Sequence, residues 1–189
     1  KFSPWVAPEG NNGLIMDITG CSHLFGGEDK MVTHILLAYD ELGLTTKIGC
    51  ADTVGAAWAL SRYSEKTLQS YRSGDAIEQE ARATRSRSSK RSFKDIPNNL
   101  KITKSSKYFI APPGKIRQSI SNFPVAALRL EIQTQNTLAQ LGLRQIGDII
   151  NQPRASLNRR FGLSLLKRVD QALGNLPEPI SPLQPELNF

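Results

Sequence analysis

A basic, serine-rich stretch in the middle of the chain does most to limit its possible folds. Residues 73–107 include "RATRSRSSKRSFK" and carry few large apolar side chains. Such a stretch buries too little apolar surface to offset the entropy of ordering it, so it predicts a flexible linker or a long loop. A second interpretation is a phosphate-tracking arm, because six cations lie close together here: Arg82, Arg85, Arg87, Lys90, Arg91 and Lys94.

The residues before this stretch predict a β-α-β-α block. Side chains of residues 14–19 alternate in direction, as in a strand. The run "GGEDKMVTHILLAYDELG" predicts a helix with two acids in its first turn, and this helix is long enough to cross between strands of one sheet. The runs "LTTKIGCAD" and "TVGAAWALSRYS" predict a second strand and a second helix, the latter capped by Asp52 or Thr53.

From Tyr108 onwards the pattern is helical throughout. Short segments such as "LRQIGDIINQ", "PRASLNRRFG" and "LSLLKRVDQALG" follow one another, and Gly142, Gly162 and Gly174 are placed to end three of them. The sequence therefore predicts an α+β protein in four parts. These are an α/β domain at 1–66, a basic linker at 67–107, a small all-helical domain at 108–178 and the start of a further linker at 179–189.

The charge of the chain favours an acidic partner. The net charge is +7 over 189 residues, and nucleic acid is the first candidate for such a partner. The two cysteines, Cys21 and Cys50, are too few for a disulfide framework, which favours a reducing cytoplasm. No apolar run approaches the length that crosses a bilayer, so no membrane partner is expected.

Three runs in the chain resemble one family. The runs "GLIMDITGCSHLFGG", "LGLTTKIGCADTVGAAWALSRY" and "FPVAALRL…LGLRQIGDI…RRFG" resemble the Y-family translesion DNA polymerases. They are most similar to the UmuC-like ImuB branch, polymerase-like accessory proteins of bacterial mutagenesis. The resemblance implies that residues 1–66 are part of a palm, with a ferredoxin-like half sheet, and that the helical domain is a thumb. The chain begins at Lys1 without methionine and is interpreted as a fragment.

The resemblance places the metal-binding positions of the palm on residues without charge. Active members hold two metal ions on carboxylates at palm strand ends. Asp17 matches the non-catalytic aspartate of the family's "LD-V-T"-like segment, which puts the metal-binding Asp at Asn12 and the next Glu at Gly13. An amide and a glycine cannot offset the charge of a divalent ion. No cofactor is therefore expected, and Mg²⁺ would be needed only in an active polymerase with acids placed elsewhere.

A second degenerate site lies at the end of the second predicted strand. Active members carry an Asn-Lys pair there, whose lysine grips the incoming triphosphate. This pair falls on Thr53 and Val54, and valine cannot neutralise phosphate. A second family lysine falls on Trp58, which is expected to pack in the core.

The predicted thumb has lost a phosphate-binding turn but keeps basic side chains. The family's Gly-x-Gly turn, which offers backbone N–H groups to DNA, falls on Arg129–Glu131, so the backbone is expected to be less free to approach a phosphate. Side-chain contacts would then replace backbone ones. The candidate DNA-binding residues are Arg129, Arg144, Arg154, Arg159, Arg160, Lys167 and Arg168.

These features predict a non-catalytic protein of DNA damage tolerance, DNA repair and SOS mutagenesis in the bacterial cytoplasm. It would bind DNA and, by resemblance, the sliding clamp, an ImuA- or RecA-like protein and an error-prone replicative-type polymerase. Two alternatives stay open. One is an active error-prone Y-family polymerase whose acids are misplaced in this alignment, and the other is a basic nucleic-acid-binding module unrelated to polymerases.

Overall fold

The computed structural model describes residues 2–64 and 108–182, and the basic stretch 67–107 lies outside them. The described residues form two compact units. Residues 2–47 and 177–182 make the first unit, and residues 48–64 and 108–176 make the second. The division after Lys47 falls inside the predicted domain 1–66, because residues 48–64 belong to the same unit as the helical part of the chain.

The first unit contains a hairpin and a helix. Strands β1 (Trp5–Pro8) and β2 (Leu14–Asp17) pair antiparallel, with Trp5 opposite Asp17 and Pro8 opposite Leu14. A short 3-10 turn then leads into helix α1 (Glu28–Glu41). The predicted strand and helix are thus confirmed, and the two acids do begin the helix. Met31, Val32 and Ile35 form its buried side.

The second unit begins with a parallel strand pair. Strand β3 (Ile48–Cys50) pairs with β4 (Tyr108–Ile110), and helix α2 starts at residue 54 and runs at least to residue 64. The expectation that everything after residue 108 is helical was therefore wrong. Three residues are too few for a periodic signal, and this strand is defined by its partner, which lies far away in the chain.

Four helices follow β4 in the described residues, and most of them are short. A 3-10 turn at Val125–Leu128 separates the first from the rest. Their bounds are α3 Ile116–Ile120, α4 Ile132–Gln140, α5 Ile146–Ile150 and α6 Arg154–Leu173, the last being interrupted at Gly162 and so consisting of two helical halves. The predicted ends at Gly142, Gly162 and Gly174 are confirmed.

Helix α6 folds back on itself at Gly162. This glycine has φ 74° and ψ −174°, a conformation that is nearly closed to other residues. Arg154 and Asp170 would be about 24 Å apart along a straight helix, since each residue rises ~1.5 Å. Instead, both guanidinium terminal nitrogens of Arg154 reach the carboxylate of Asp170, at 2.9 and 2.6 Å. The break therefore makes an antiparallel helical hairpin.

One apolar core joins the elements of the second unit. It draws side chains from α2, β4 and all the later helices, and several of these are fully enclosed. Fully buried members include Leu60 on α2, Ile120 on α3, Leu138 on α4, Ile149 on α5 and Leu165 on α6. Because α2 contributes Ala56, Ala59 and Leu60 to this core, its position is set by the helical elements.

The α+β class is confirmed, but the predicted half sheet is not seen. Within the described residues, the strands make two separate two-stranded sheets, β1–β2 and β3–β4. Helix α1 therefore does not connect neighbouring strands of one sheet. No helix in the described ranges is both long enough and apolar enough to span a membrane.

Candidate nucleic-acid interface

The positions matched to the metal-binding acids lie in the turn of the hairpin. Asn12 is exposed, and the carbonyl of Gly13 accepts a hydrogen bond from the Glu9 N–H at 2.8 Å. Asp17 stands at the end of β2, where its carboxylate accepts a hydrogen bond from the Thr19 N–H at 2.9 Å. Hydrogen bonding by the Thr19 side chain first, and by its backbone second, holds the pKa of Asp17 below its usual value. Asp17 thus closes a turn.

Thr53 has a structural position at the start of α2. Its Oγ accepts a hydrogen bond from the Ala56 N–H at 3.2 Å, which confirms the predicted helix cap. The same hydroxyl donates to the carbonyl of Ala172 at 2.8 Å, near the end of α6. At Gly55 an added Cβ would stand only 3.0 Å from Ala172 Cα, so the two helices touch closely here. Val54 follows Thr53 and brings no charge to this region.

Trp58 lies at the surface with two arginines against it. The ring is only partly buried, and it is absent from the apolar core, contrary to the expectation. The guanidinium carbon of Arg62 is 5.0 Å from the ring centroid, and that of Arg129 is 5.7 Å away. Both distances fall within the ~6 Å range of cation–π attraction. The Tyr63 ring also lies near Trp58, with the two ring centroids 6.0 Å apart.

Arg129 takes up a backbone conformation that suits glycine. It follows the 3-10 turn with φ 56° and ψ 39°, and it is the only residue other than glycine with positive φ in the part of the chain that the structure describes. The loss of the Gly-x-Gly glycines was expected to restrict this turn. The turn nevertheless keeps left-handed geometry, with an arginine side chain in place of a bare backbone.

The turn before α5 leaves no backbone donors for a phosphate at its two leading residues. The N–H groups of Arg144 and Gln145 both donate to the carboxylate of Asp148, at 3.0 and 2.9 Å. The Arg144 carbonyl accepts from the Val125 N–H at 3.0 Å, which ties this turn to the preceding one. Arg144 itself is exposed. A phosphate contact by Arg144 would therefore use its side chain.

The basic residues of α6 differ in their surroundings. Arg154 is bound to Asp170, and Asn175 also donates to that carboxylate at 3.3 Å. The hydrogen bond with Arg154 is the main reason that the pKa of Asp170 is lowered, and it raises the pKa of Arg154. Arg168 is half-buried and donates to Gln171 at 3.3 Å. Arg159, Arg160 and Lys167 are exposed.

All seven predicted DNA-binding residues lie in the second unit, where Arg129 contacts Trp58 and Arg154 is paired with Asp170. Sequence reasoning missed Arg62, although its four-residue spacing from Trp58 on one helix could have indicated the contact. The contact between Arg129 and Trp58 has no such local signal. The arginines and lysines of the predicted phosphate-tracking arm lie outside the described residues. Neither described range contains a group of three or more His, Cys, Asp or Glu side chains able to hold a metal ion.

Comparison with known proteins supports an ImuB-like relationship. Protein ImuB of Caulobacter vibrioides strain NA1000 / CB15N and Protein ImuB of its strain ATCC 19089 / CIP 103742 / CB 15 are each 34% identical to the chain over 181 residues. The alignment covers 96% of this chain but 31% of each relative, so the chain spans about a third of their length. No protein-family model and no solved structure matches the chain.

Proposed function

We propose that the chain is part of a non-catalytic, Y-family polymerase-like protein that binds DNA during damage tolerance, DNA repair and induced mutagenesis. The observation that carries this proposal is the role of Thr53, whose hydroxyl is used in joining α2 to α6. Thr53 stands where the resemblance expects the asparagine of the Asn-Lys pair, and Val54 stands where it expects the lysine that grips the triphosphate. A polymerase-like chain in which the Asn-Lys pair is replaced by a helix-joining threonine and a valine is better suited to DNA binding than to nucleotidyl transfer.

In this proposal the first strands and helices of the chain are palm-like, and the helical part is thumb-like. Residues 48–64 would then correspond to part of the family's palm, although they pack in the same unit as the thumb-like helices. The basic stretch 67–107 would join the two parts. Electrostatic attraction between phosphate and the exposed Arg144, Arg159, Arg160 and Lys167 would supply sequence-independent DNA binding.

The proposed partners come from the relationship to ImuB. They are the sliding clamp, an ImuA- or RecA-like protein and an error-prone replicative-type polymerase. A bacterial cytoplasm is the proposed location, and Cys21 and Cys50, which form no disulfide with each other, suit a reducing compartment. The ImuB relationship does not favour an active polymerase or an unrelated basic module.

Two assays test the proposal. Fluorescence anisotropy of labelled DNA should show binding by the chain that weakens as salt rises. Primer extension is informative in a Caulobacter ImuB that carries this chain in place of its matching segment, because the chain alone spans only 31% of that protein. With Mg²⁺ and an active Y-family polymerase as positive control, no extension is expected. Extension that is abolished by Asn12→Ala would overturn the non-catalytic assignment.

A further inference from the structure

Trp58 is a partly buried aromatic ring on α2, outside the apolar core to which that helix contributes. Ala56, Ala59 and Leu60 of α2 are at most 1% exposed, whereas Trp58 is only partly buried. A partly exposed indole ring offers apolar surface that a ligand could cover. The guanidinium groups of Arg62 and Arg129 lie near it, with their carbons 5.0 and 5.7 Å from the ring centroid. These three side chains are called the Trp58 cluster below.

The backbone of Arg129 gives an independent indication that the cluster has a role. A non-glycine residue in the left-handed region is uncommon, and such strain gathers at ligand-binding sites. Arg129 has φ 56° and ψ 39°, where glycine would be free of the steric conflict. If position 129 had only to form the turn, glycine, which prefers the left-handed conformation, would suit it better. The chain instead holds Arg129 in this left-handed conformation, with its guanidinium group beside Trp58.

The chemistry of the cluster matches single-stranded DNA. A partly exposed indole ring can stack on a base, but only on a base that has left its own stack. The bases of a duplex are already stacked, so a duplex offers the cluster only its phosphates. One guanidinium group can donate two parallel hydrogen bonds to phosphate oxygens. It is also weakly hydrated, so it can lie beside a stacked base at little desolvation cost. The 5.0 and 5.7 Å separations exceed the ~3.5–4.0 Å of close atomic contact, so the guanidinium carbons do not lie flat on the ring centre.

We propose that the Trp58 cluster is a contact site for single-stranded DNA. The Trp58 ring stacks on one unpaired base, and Arg62 and Arg129 hold the neighbouring phosphates. This inference rests on the proposed DNA-binding function and adds a preference for unpaired strands. It assigns a role to the position where the resemblance expects a lysine.

The ring itself provides a direct readout. The chain has two tryptophans, so Trp5→Phe leaves Trp58 as the single indole. Trp5 lies on β1 and is 53% exposed, and it has no part in the proposed site. Titrating this variant with oligothymidine should quench the indole fluorescence as a base stacks on the ring. A blunt duplex of the same length should raise the anisotropy of a labelled strand without comparable quenching.

Two variants separate stacking from general charge. Trp58→Leu should weaken oligothymidine binding about tenfold, within the range measured for loss of one base–aromatic stack, and should change duplex binding less than twofold. Arg129→Gly removes the guanidinium and also relieves the left-handed strain. It should weaken oligothymidine binding several-fold while the thermal midpoint is equal to, or higher than, that of the parent. That combination is not expected of a residue kept for packing alone.

The outcomes are distinct. Quenching by the single strand, with selective loss in Trp58→Leu, supports the inference. Binding of both DNA forms with no quenching, and with oligothymidine affinity unchanged in Arg129→Gly, overturns it but leaves the proposed DNA binding in place. Failure of the parent chain to bind either form overturns the proposed function and the inference together. If Trp58→Leu does not fold, the single-tryptophan titration and Arg129→Gly decide the question.

Discussion

The hydroxyl of Thr53 donates a hydrogen bond to the carbonyl of Ala172 at 2.8 Å, joining the N-terminus of α2 to the C-terminal turn of α6. The two residues are 119 positions apart in the chain. The same oxygen accepts from the Ala56 N–H, so one side chain caps one helix and holds another. The position that the resemblance matches to the asparagine of the Asn-Lys pair is therefore occupied by a residue that joins two helices of the second unit.

Replacing Thr53 by valine should destabilise the chain while leaving DNA binding intact. Thr53→Val keeps the shape but removes both hydrogen bonds, and it leaves the Ala56 N–H without its cap. We expect a loss of about 1–2 kcal/mol in the free energy of unfolding, measured by urea denaturation. Thr137→Val is the matched control, because Thr137 bonds only to the Gln133 carbonyl within α4. A change within ~0.5 kcal/mol is expected there, and equal effects of the two variants would contradict the role of Thr53.

Replacing Gly162 by alanine should destabilise the helical hairpin of α6. Its φ of 74° with ψ of −174° places the backbone where a Cβ is strongly disfavoured, although no neighbouring atom lies within 4 Å of the added carbon. The expected cost, about 1–3 kcal/mol, therefore comes from backbone strain. The neighbouring Leu163 is 72% exposed, so Leu163→Ala should have little effect. Thermal denaturation of both variants makes the comparison, and a neutral Gly162→Ala would show that the break can be remodelled.

The pair of Arg154 and Asp170 predicts a pH-dependent contribution to stability. The pKa of Asp170 is lowered in the folded chain, chiefly by the hydrogen bond from Arg154. The stabilisation is therefore complete above the ordinary Asp pKa of about 3.9 and is lost as the pH falls through the lower, folded value. Arg154 stays charged throughout.

Asp170→Asn tests this contribution. The parent chain should be more stable than the variant at neutral pH, and the difference should shrink once the pH drops below about 4. Urea denaturation at several pH values measures it. A difference that does not depend on pH in the acid range would mean that the lost ion pair is not its source.

DNA binding should depend on salt through side-chain charges. If about three to five phosphates are neutralised, the logarithm of affinity should fall against the logarithm of salt concentration with a slope of roughly −3 to −4. Arg144→Ala combined with Arg159→Ala should reduce the magnitude of that slope by about one or two, with little change in preference between sequences. Both side chains are exposed, so the fold should survive.

The matched control removes two charges from the first unit. Lys30 and Lys47 are exposed there, and replacing both by glutamine should leave the slope nearly unchanged. Arg154→Gln should also change it little, since its charge is paired with Asp170. An affinity that does not respond to salt would contradict an electrostatic interface.

Local structure in this chain follows from nearby residues. The alternation at β2, the acids that open α1, the threonine that caps α2 and the glycine that breaks α6 are signals confined to one or two turns of chain. Such features depend on backbone conformations and hydrogen bonds between close neighbours. The sequence by itself therefore determined these elements, and its excess of positive charge as well.

The long-range relationships depended on the tertiary structure. Strand β4 forms by pairing with β3, which lies far away in the chain. The predicted sheet containing both β2 and β3 was wrong for a similar reason, because strand pairing depends on residues distant in sequence. The break at Gly162 brings Asp170 to Arg154, and the fold brings the Arg129 guanidinium carbon to 5.7 Å from the Trp58 ring centroid. These long-range contacts decide which arginine and lysine side chains can still bind phosphate. They join residues far apart in sequence, so no local pattern records them.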